Sequence, residues 1–209
     1  MTNLEHPYGW KPTALEGVWR RSMAAHPDER GSFMEIWRER WTENLPDDFG
    51  TTTMRQANLS RSRAGVLRGL HMHQRQADLW IVVEGRAFIG LVDARPLLSG
   101  SGPAAIETID ALPGDAVYLP EGVAHGFYAR EPLTLCYLVT NEYDGSDELG
   151  FTWKDPEVAI PWPDPDPIVS ERDATAPRLA ELVERLRGGR PAASADAVEV
   201  VQQRLRPGT

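Results

Sequence analysis

Two histidines stand two residues apart, at His71 and His73, in a segment whose pattern predicts a β-strand. Side chains at positions i and i+2 of a strand point to the same face, so we expect both imidazoles to face one cavity. The carboxylate of Asp78 follows, and a third histidine, His125, lies in a turn-rich second segment, 113–127. Four such side chains could hold a metal ion, or could bind a carbohydrate and move its protons.

Neither use is dictated by the residue types alone. Three imidazoles and one carboxylate suit Fe(II), Mn(II), Ni(II), Zn(II) or Cu(II). Structural roles are equally compatible with the sequence: His125 bonded to backbone, His73 in solvent, and Asp78 paired with Arg75 or Arg86. These alternatives stay open until the positions of the side chains are known.

The segments that must position these groups are predicted to be β-strands. Short alternating or apolar segments recur at intervals typical of a β-sandwich or barrel, with Gly, Pro and Asp between them. The predicted strands are 15–21, 32–37, 51–60, 65–73, 79–84, 86–93, 105–112, 116–119, 124–129 and 133–141. Glu84-Gly85 predicts a hairpin turn, 96–102 a loop, and 37–41 a short helix. The sequence therefore predicts an all-β protein.

The C-terminal part differs from the preceding segments in its proline content and in the spacing of its apolar residues. Prolines in 151–165 exclude interior strands, so this segment should wrap the surface of the barrel. Leucines at helical spacing predict a helix over 176–186, ended by Gly188-Gly189. We expect one domain over 1–185 and a mobile tail over 186–209.

Composition narrows the class of partner. The net charge of −9 argues against nucleic acid or anionic lipid as a general partner. The single cysteine, Cys136, allows no intrachain disulfide and lies in an apolar strand, which indicates a buried small side chain. No segment is long and apolar enough to span a membrane, and we expect a cytoplasmic protein.

The spacing of the polar groups resembles a known pattern. Gly65, His71-x-His73, Asp78 and Gly85, followed by Gly114, Pro120-x-Gly122 and His125, are similar to the two-motif signature of the cupin superfamily, with Asp in place of the usual Glu. The resemblance implies a small antiparallel jelly-roll barrel whose polar strand faces line the cavity. This agrees with the strand prediction made from the residues.

A closer resemblance covers roughly residues 15–185. Its motifs, in chain order, are Asp28-Glu-Arg-Gly31, Phe33-Met-Glu35, Gln56-x-Asn58, Gly65-Val-Leu-Arg-Gly-Leu-His71, Val92-Asp-Ala-Arg95, Pro120-x-Gly-x-Ala-His-Gly-Phe127, Tyr137, Trp153-x-Asp-Pro156, Ile160-x-Trp-Pro163 and Ser170-x-x-Asp173. Together they resemble the dTDP-4-dehydrorhamnose 3,5-epimerase family. The family implies a nucleotide-diphosphate 4-keto-6-deoxy sugar as substrate, with proton removal next to the ketone to give an enolate.

The resemblance also implies roles for individual residues. His71 matches the base, Asp173 its orienting carboxylate, and Tyr137 the proton donor. The positions that match substrate-binding residues are Arg30, Glu35, Gln56, Asn58, Arg68, His125 and Tyr143. Arg68 would face the diphosphate or the enolate oxygen and Arg30 the diphosphate. Arg30 and Glu35 would reach a neighbouring subunit's site, which implies a homodimer.

Two positions depart from the family. A lysine that helps to stabilise the enolate is expected near Asp78, where a carboxylate would have the opposite effect, and His73 stands where the family usually has Gln. Three hypotheses follow. The first is a cofactor-free epimerase, the second a metal-dependent cupin enzyme with His71, His73, Asp78 and His125 as ligands of one divalent ion, and the third a non-catalytic sugar-binding cupin.

Overall fold

Two antiparallel sheets face each other in the computed structural model, which describes residues 8–42 and 53–188. The six-stranded sheet contains, in spatial order, β1 (Lys11–Pro12), β2 (Trp19–Ser22), β10 (Asp115–Leu119), β7 (Asp78–Glu84), β12 (Leu133–Val139) and β5 (Gln56–Ser62). The five-stranded sheet contains β13 (Leu149–Gly150), β6 (Leu67–Met72), β11 (Val123–Ala129), β8 (Ala87–Asp93) and β9 (Ala105–Ala111). A separate hairpin joins β3 (Ala25–Asp28) to β4 (Gly31–Met34). The predicted all-β fold, a cupin-type antiparallel jelly roll, is confirmed.

The space between the sheets is filled by the apolar inward faces of both. Trp80 and Val82 of β7, Phe127 of β11 and Leu135 of β12 belong to one buried cluster. Because the side-chain period of a strand is two, these positions fix which other residues of the same strands point inward.

The same inward rows become polar toward one end of the barrel. Asp78 continues the row of Trp80 and Val82, Tyr137 follows Leu135, and His125 precedes Phe127. Strand periodicity thus brings chemically active side chains from both sheets to one end of an otherwise apolar interior.

The outward faces of both sheets are covered by the rest of the chain. Leu70 and Met72 of β6 pack in a second cluster with Phe151 and with Leu179 and Leu182 of the C-terminal helix. Trp10 and Trp41, near the N-terminus, cover the six-stranded sheet. As predicted, residues 151–165 contain no named strand and lie against the barrel.

The helices are short. They are α1 (Arg95–Ser99), α2 (Glu171–Ala174) and α3 (Leu179–Arg187), with a 3₁₀ helix at Glu39–Thr42. The predicted C-terminal helix is confirmed as α3, although it begins three residues later than predicted, after Pro177. Gly188 is its C-cap. No helix in 8–42 or 53–188 is long and apolar enough to cross a membrane.

Some local predictions were wrong. The predicted loop 96–102 contains α1, because Pro96 suits the first turn of a helix and Gly100, at φ 76°, caps its C-terminal end. The short helix begins at Glu39, not Trp37, and the predicted strand 51–60 begins only at Gln56. Residues 189–209 lie outside the described part of the chain, so the mobile tail and the domain boundary at 185 stay predictions.

Candidate active site

A polar contact at the mouth of the barrel joins His71 on β6 to Asp173 on α2. Nε2 of His71 lies 2.9 Å from Oδ1 of Asp173. The Asp173 side chain is 6% exposed and that of His71 29% exposed. Because Nε2 donates its proton to the carboxylate, the neutral imidazole keeps its lone pair on Nδ1.

Local structure explains why Asp173 points at β6. The hydroxyl of Ser170 accepts a bond from the Asp173 amide at 3.1 Å, which is a helix N-cap. The Gly69 amide donates to Asp173 Oδ2 at 3.3 Å. Gly69 has φ 127°, and a Cβ there would lie 2.6 Å from Gly126 Cα, so glycine is needed where β6 approaches β11.

The carboxyl of Asp173 is held in its charged form. Burial acts to raise the pKa of Asp173, but the bond from His71, the charge of that imidazole when protonated and the Gly69 amide together outweigh it, and the pKa is lowered. A carboxylate that is charged at neutral pH stabilises an imidazolium beside it.

Tyr137 lies on the opposite sheet, on β12. Burial, followed by the negative charges of Asp78 and Glu148, raises the pKa of Tyr137 against the opposing effect of Arg68. The phenol therefore keeps its proton at neutral pH and can donate it.

Polar residues of β5 lie next to Tyr137. Asn58 pairs with Tyr137 across the sheet, and the side-chain amide of Gln56 donates to Asn58 Oδ1 at 2.9 Å. The Tyr143 amide donates to Gln56 Oε1 at 2.9 Å, which links the half-exposed Tyr143 to the same group. Arg68, on β6, donates from Nε to the hydroxyl oxygen of Ser62, at the end of β5, at 3.1 Å.

His73, Asp78 and His125 form a second, buried group. One potential ligand atom from each lies within 4.8 Å of the others. His125 Nε2 is 3.8 Å from Asp78 Oδ2, and burial, the largest of several effects, lowers the pKa of His125 to about 4. At neutral pH this contact is therefore not an ion pair.

Several sequence interpretations of this group need correction. His73 is buried rather than solvated, and Asp78 accepts from Gln76 and Trp80 instead of pairing with Arg75 or Arg86. The backbone role for His125 is present, since Nδ1 lies 3.0 Å from the Val123 carbonyl oxygen. The four-ligand metal set is not assembled: His71 is bonded to Asp173 and is absent from the cluster of three.

The expectation that His71 and His73 face one cavity is met only in part. His73 lines a cavity of about 410 Å³ with Tyr143 and Glu148, whereas His71 lines one of about 230 Å³ with Asp173 and Glu148. Glu148 lines both cavities.

Sequence reasoning missed Glu148. Its carboxylate bonds Arg172 at 2.7 Å and is 17% exposed. Burial acts to raise the pKa of Glu148, but Arg172 and the imidazoles of His73 and His71 outweigh it and the pKa is lowered. No motif marks this residue, which reaches the site because β13 pairs with β6 immediately after it.

Arg30 and Glu35 lie away from these groups in the same chain. Arg30 bonds Asp28 and Glu35 bonds Arg38, both near or on the exposed hairpin β3–β4. Neither lines the cavity at His71 or the one at His73.

The sequence matches a known family over most of its length. The family model described as dTDP-4-dehydrorhamnose 3,5-epimerase matches residues 12–181. A dTDP-4-dehydrorhamnose 3-epimerase from Streptomyces niveus is 38% identical over 176 residues, which is 82% of this chain and 84% of that protein. The spore coat polysaccharide biosynthesis protein SpsL of Bacillus subtilis is 33% identical over 152 residues, 71% of this chain and 96% of its own.

Solved structures show the same fold. NovW, a 4-keto-6-deoxy sugar epimerase from Streptomyces spheroides, has a TM-score of 0.72 at 34% identity and covers 85% of this chain and 90% of its own. ChmJ, a 3'-monoepimerase from Streptomyces bikiniensis described in complex with dTDP-quinovose, has a TM-score of 0.71 at 33% identity and covers 93% of this chain and 99% of its own.

Proposed function

We propose, since the chain belongs to the dTDP-4-dehydrorhamnose 3,5-epimerase family, that it inverts a carbon next to the ketone of a nucleotide-diphosphate 4-keto-6-deoxy sugar. The observation that carries this proposal is the 2.9 Å contact between His71 and Asp173 at the mouth of the barrel.

His71 is the base in this reaction. With Nε2–H donated to Asp173, the lone pair of Nδ1 is available to remove the proton next to the ketone. The imidazolium that forms stays beside a buried carboxylate, which lowers the free energy of the charged state. Asp173 therefore acts through His71, by fixing its orientation and its basicity.

Tyr137 is the acid. Inversion requires that the proton return to the face of the carbon opposite to the one from which it left. His71 belongs to the five-stranded sheet and Tyr137 to the six-stranded sheet, so the base and the acid come from opposite walls of the barrel. The raised pKa of Tyr137 keeps the phenol protonated for this step.

The charged intermediate and the nucleotide need further partners. The negative charge of an enolate oxygen is stabilised by cations or hydrogen-bond donors in a site that excludes water. Arg68 supplies positive charge near Tyr137, and Gln56, Asn58 and Tyr143 bind the sugar and nucleotide. His125, whose position matches a substrate-binding residue, is 4% exposed and is left out of this set.

The hairpin β3–β4 completes the site of a second copy of this chain. All of its residues but the last are exposed, and Phe33 on it is 69% exposed. A second copy of the chain packed on the hairpin would cover this apolar side chain. In a two-fold dimer each hairpin would carry Arg30 and Glu35 to the partner subunit's cavity, where Arg30 binds the diphosphate.

The test is incubation of the protein with dTDP-4-dehydro-6-deoxyglucose, with the product identified by proton NMR after reduction of the ketone. We expect a sugar inverted at C3, at C5 or at both. The UDP counterpart of the same sugar is the control for nucleotide recognition. An unchanged dTDP sugar at high protein concentration would contradict the proposal.

A further inference from the structure

Three side chains that could ligate a metal converge in the barrel interior next to the proposed catalytic pair. His73, Asp78 and His125 are 6%, 3% and 4% exposed, and their ligand atoms lie within 4.8 Å of one another. They come from the end of β6, from β7 and from β11, so both sheets hold the group in place.

The two imidazoles are oriented by backbone carbonyls. His73 Nδ1 lies 2.7 Å from the Asp147 carbonyl oxygen, and His125 Nδ1 lies 3.0 Å from that of Val123. A carbonyl only accepts, so each Nδ1 carries the proton and each neutral ring keeps its lone pair on Nε2. Metal-ligating histidines are commonly held in this way by their other ring nitrogen.

The carboxylate of Asp78 is fixed as well. Its two oxygens accept from Gln76 Nε2 at 2.9 Å and from Trp80 Nε1 at 3.2 Å. A carboxylate oxygen has a second lone pair, and Oδ2 faces His125 Nε2 at 3.8 Å, too far for a hydrogen bond.

Two imidazole lone pairs and one carboxylate therefore face a common centre, with each ring proton directed away from it. We propose that His73, Asp78 and His125 bind one divalent first-row transition-metal ion. Two imidazole nitrogens and one carboxylate oxygen suit Zn(II), Fe(II), Mn(II) or Co(II). Ligands of a tetrahedral ion lie about 3.3–3.5 Å apart, so small side-chain rotations close the site around the ion.

His71 is excluded from this set. Its Nε2 is bonded to Asp173. Its Nδ1 therefore remains available as the base of the proposed epimerisation. Three protein ligands leave at least one coordination position for water or for an oxygen of a bound molecule. Because His73 lines the cavity of about 410 Å³, that position has a route to solvent and substrate.

Metal binding is tested on the full chain, purified without a metal-affinity tag or chelator. The apoprotein is titrated with Co²⁺ while its visible d–d absorption is followed, and Zn²⁺ is then added in competition. We expect about one Co²⁺ per chain, displaced by Zn²⁺, and a rise in melting temperature with the metal. No change in absorption or in melting temperature at millimolar Co²⁺ would overturn the proposal.

Variants locate the ion. His73→Ala and Asp78→Asn should weaken Co²⁺ binding by more than about 100-fold, since each removes one of three ligands. His71→Asn, two residues away in sequence, is the matched control and should bind as the wild type does. Circular dichroism checks that each variant is folded. Equal binding by folded His73→Ala, or loss of binding in His71→Asn, would refute the assigned ligand set.

Discussion

His71 Nε2 and Asp173 Oδ1 are 2.9 Å apart although 102 positions separate the two residues in the chain. The contact depends on Ser170, which caps the four-residue helix α2, and on Gly69, whose amide holds the second carboxylate oxygen. The N-cap fixes the backbone of Asp173, and the Gly69 amide and His71 each hold one oxygen of its carboxylate. This geometry is the one that the proposed base requires.

Asp173→Asn should lower kcat by roughly 100- to 1000-fold with little change in KM, because it removes the charge that stabilises the imidazolium but keeps the shape of the side chain. Steady-state kinetics with the dTDP sugar measure this. Glu171→Gln, on the same helix and exposed, is the matched control. A kcat for Asp173→Asn equal to that of the wild type would show that the carboxylate does not assist the base.

The same pair makes stability depend on pH. The folded-state pKa of Asp173 is lowered, so its contribution to the free energy of unfolding is present above the ordinary aspartate pKa, about 3.9, and is lost as pH falls through the folded value. Urea denaturation of wild type and Asp173→Asn should differ most above about pH 5 and converge below pH 4. A difference that does not change with pH would contradict a charge-based contribution.

Tyr137→Phe should separate proton removal from inversion. Without the phenol, His71 can still take the proton and return it to the same face, so exchange with solvent continues while the inverted product falls by more than about 100-fold. Mass spectrometry in D₂O gives the exchange rate and NMR gives the epimer. Tyr128→Phe, which alters a phenol bonded to Asp164 on the outer side of the barrel, is the control. Inverted product at the wild-type rate would assign the acid to another group.

The dimer is tested by mixing two inactive chains. Arg30→Ala alters the hairpin and His71→Asn alters the base, so a heterodimer has one complete site if each hairpin serves the partner subunit's cavity. Random exchange of subunits should restore roughly a quarter of the sites. Failure to recover activity, with heterodimers demonstrated by mass spectrometry, would show that Arg30 is needed in the same chain as His71.

The interface itself is probed at Phe33. Phe33→Asp places a charge on β4 of the exposed hairpin and should convert the proposed dimer to a monomer in size-exclusion chromatography with light scattering. Ile106→Asp, at an exposed apolar residue of β9 that is 42% exposed, is the control and should leave the assembly unchanged. If the wild-type chain is already a monomer, the hairpin does not complete the site of a second copy.

Much of the barrel could be predicted because strand periodicity is local. The predicted strand 51–60 contains Gln56 and Asn58 two residues apart, so periodicity puts them on one face, and the structure places both inward beside Tyr137. The helix before Gly188 depends on residues whose backbone preferences act within a few positions. The chain bends at Gly85, but the predicted hairpin at Glu84-Gly85 is wrong, because the bend connects β7 of the six-stranded sheet to β8 of the five-stranded sheet. Only the family resemblance, not periodicity, indicated that Asp173 would meet His71.

The site could be predicted less completely, for reasons of distance along the chain. The motif spacing grouped His71 with His73, yet a helix one hundred residues later draws His71 to Asp173 and leaves His73 with Asp78 and His125. Glu148 has no local signal at all, since its position follows from the pairing of a two-residue strand, β13, with β6. The short helix α1 was missed because Pro and Gly mark loops as readily as the ends of helices.

The most direct test of the central claim is deuterium incorporation from D₂O into dTDP-4-dehydro-6-deoxyglucose, by wild type and by His71→Asn. Wild type should place deuterium at the carbons next to the ketone, and the position of the label shows whether the proton is removed from C3, from C5 or from both. His71→Asn should reduce the incorporation by more than about 1000-fold while the protein remains folded. Incorporation by folded His71→Asn at the wild-type rate would mean that His71 is not the base.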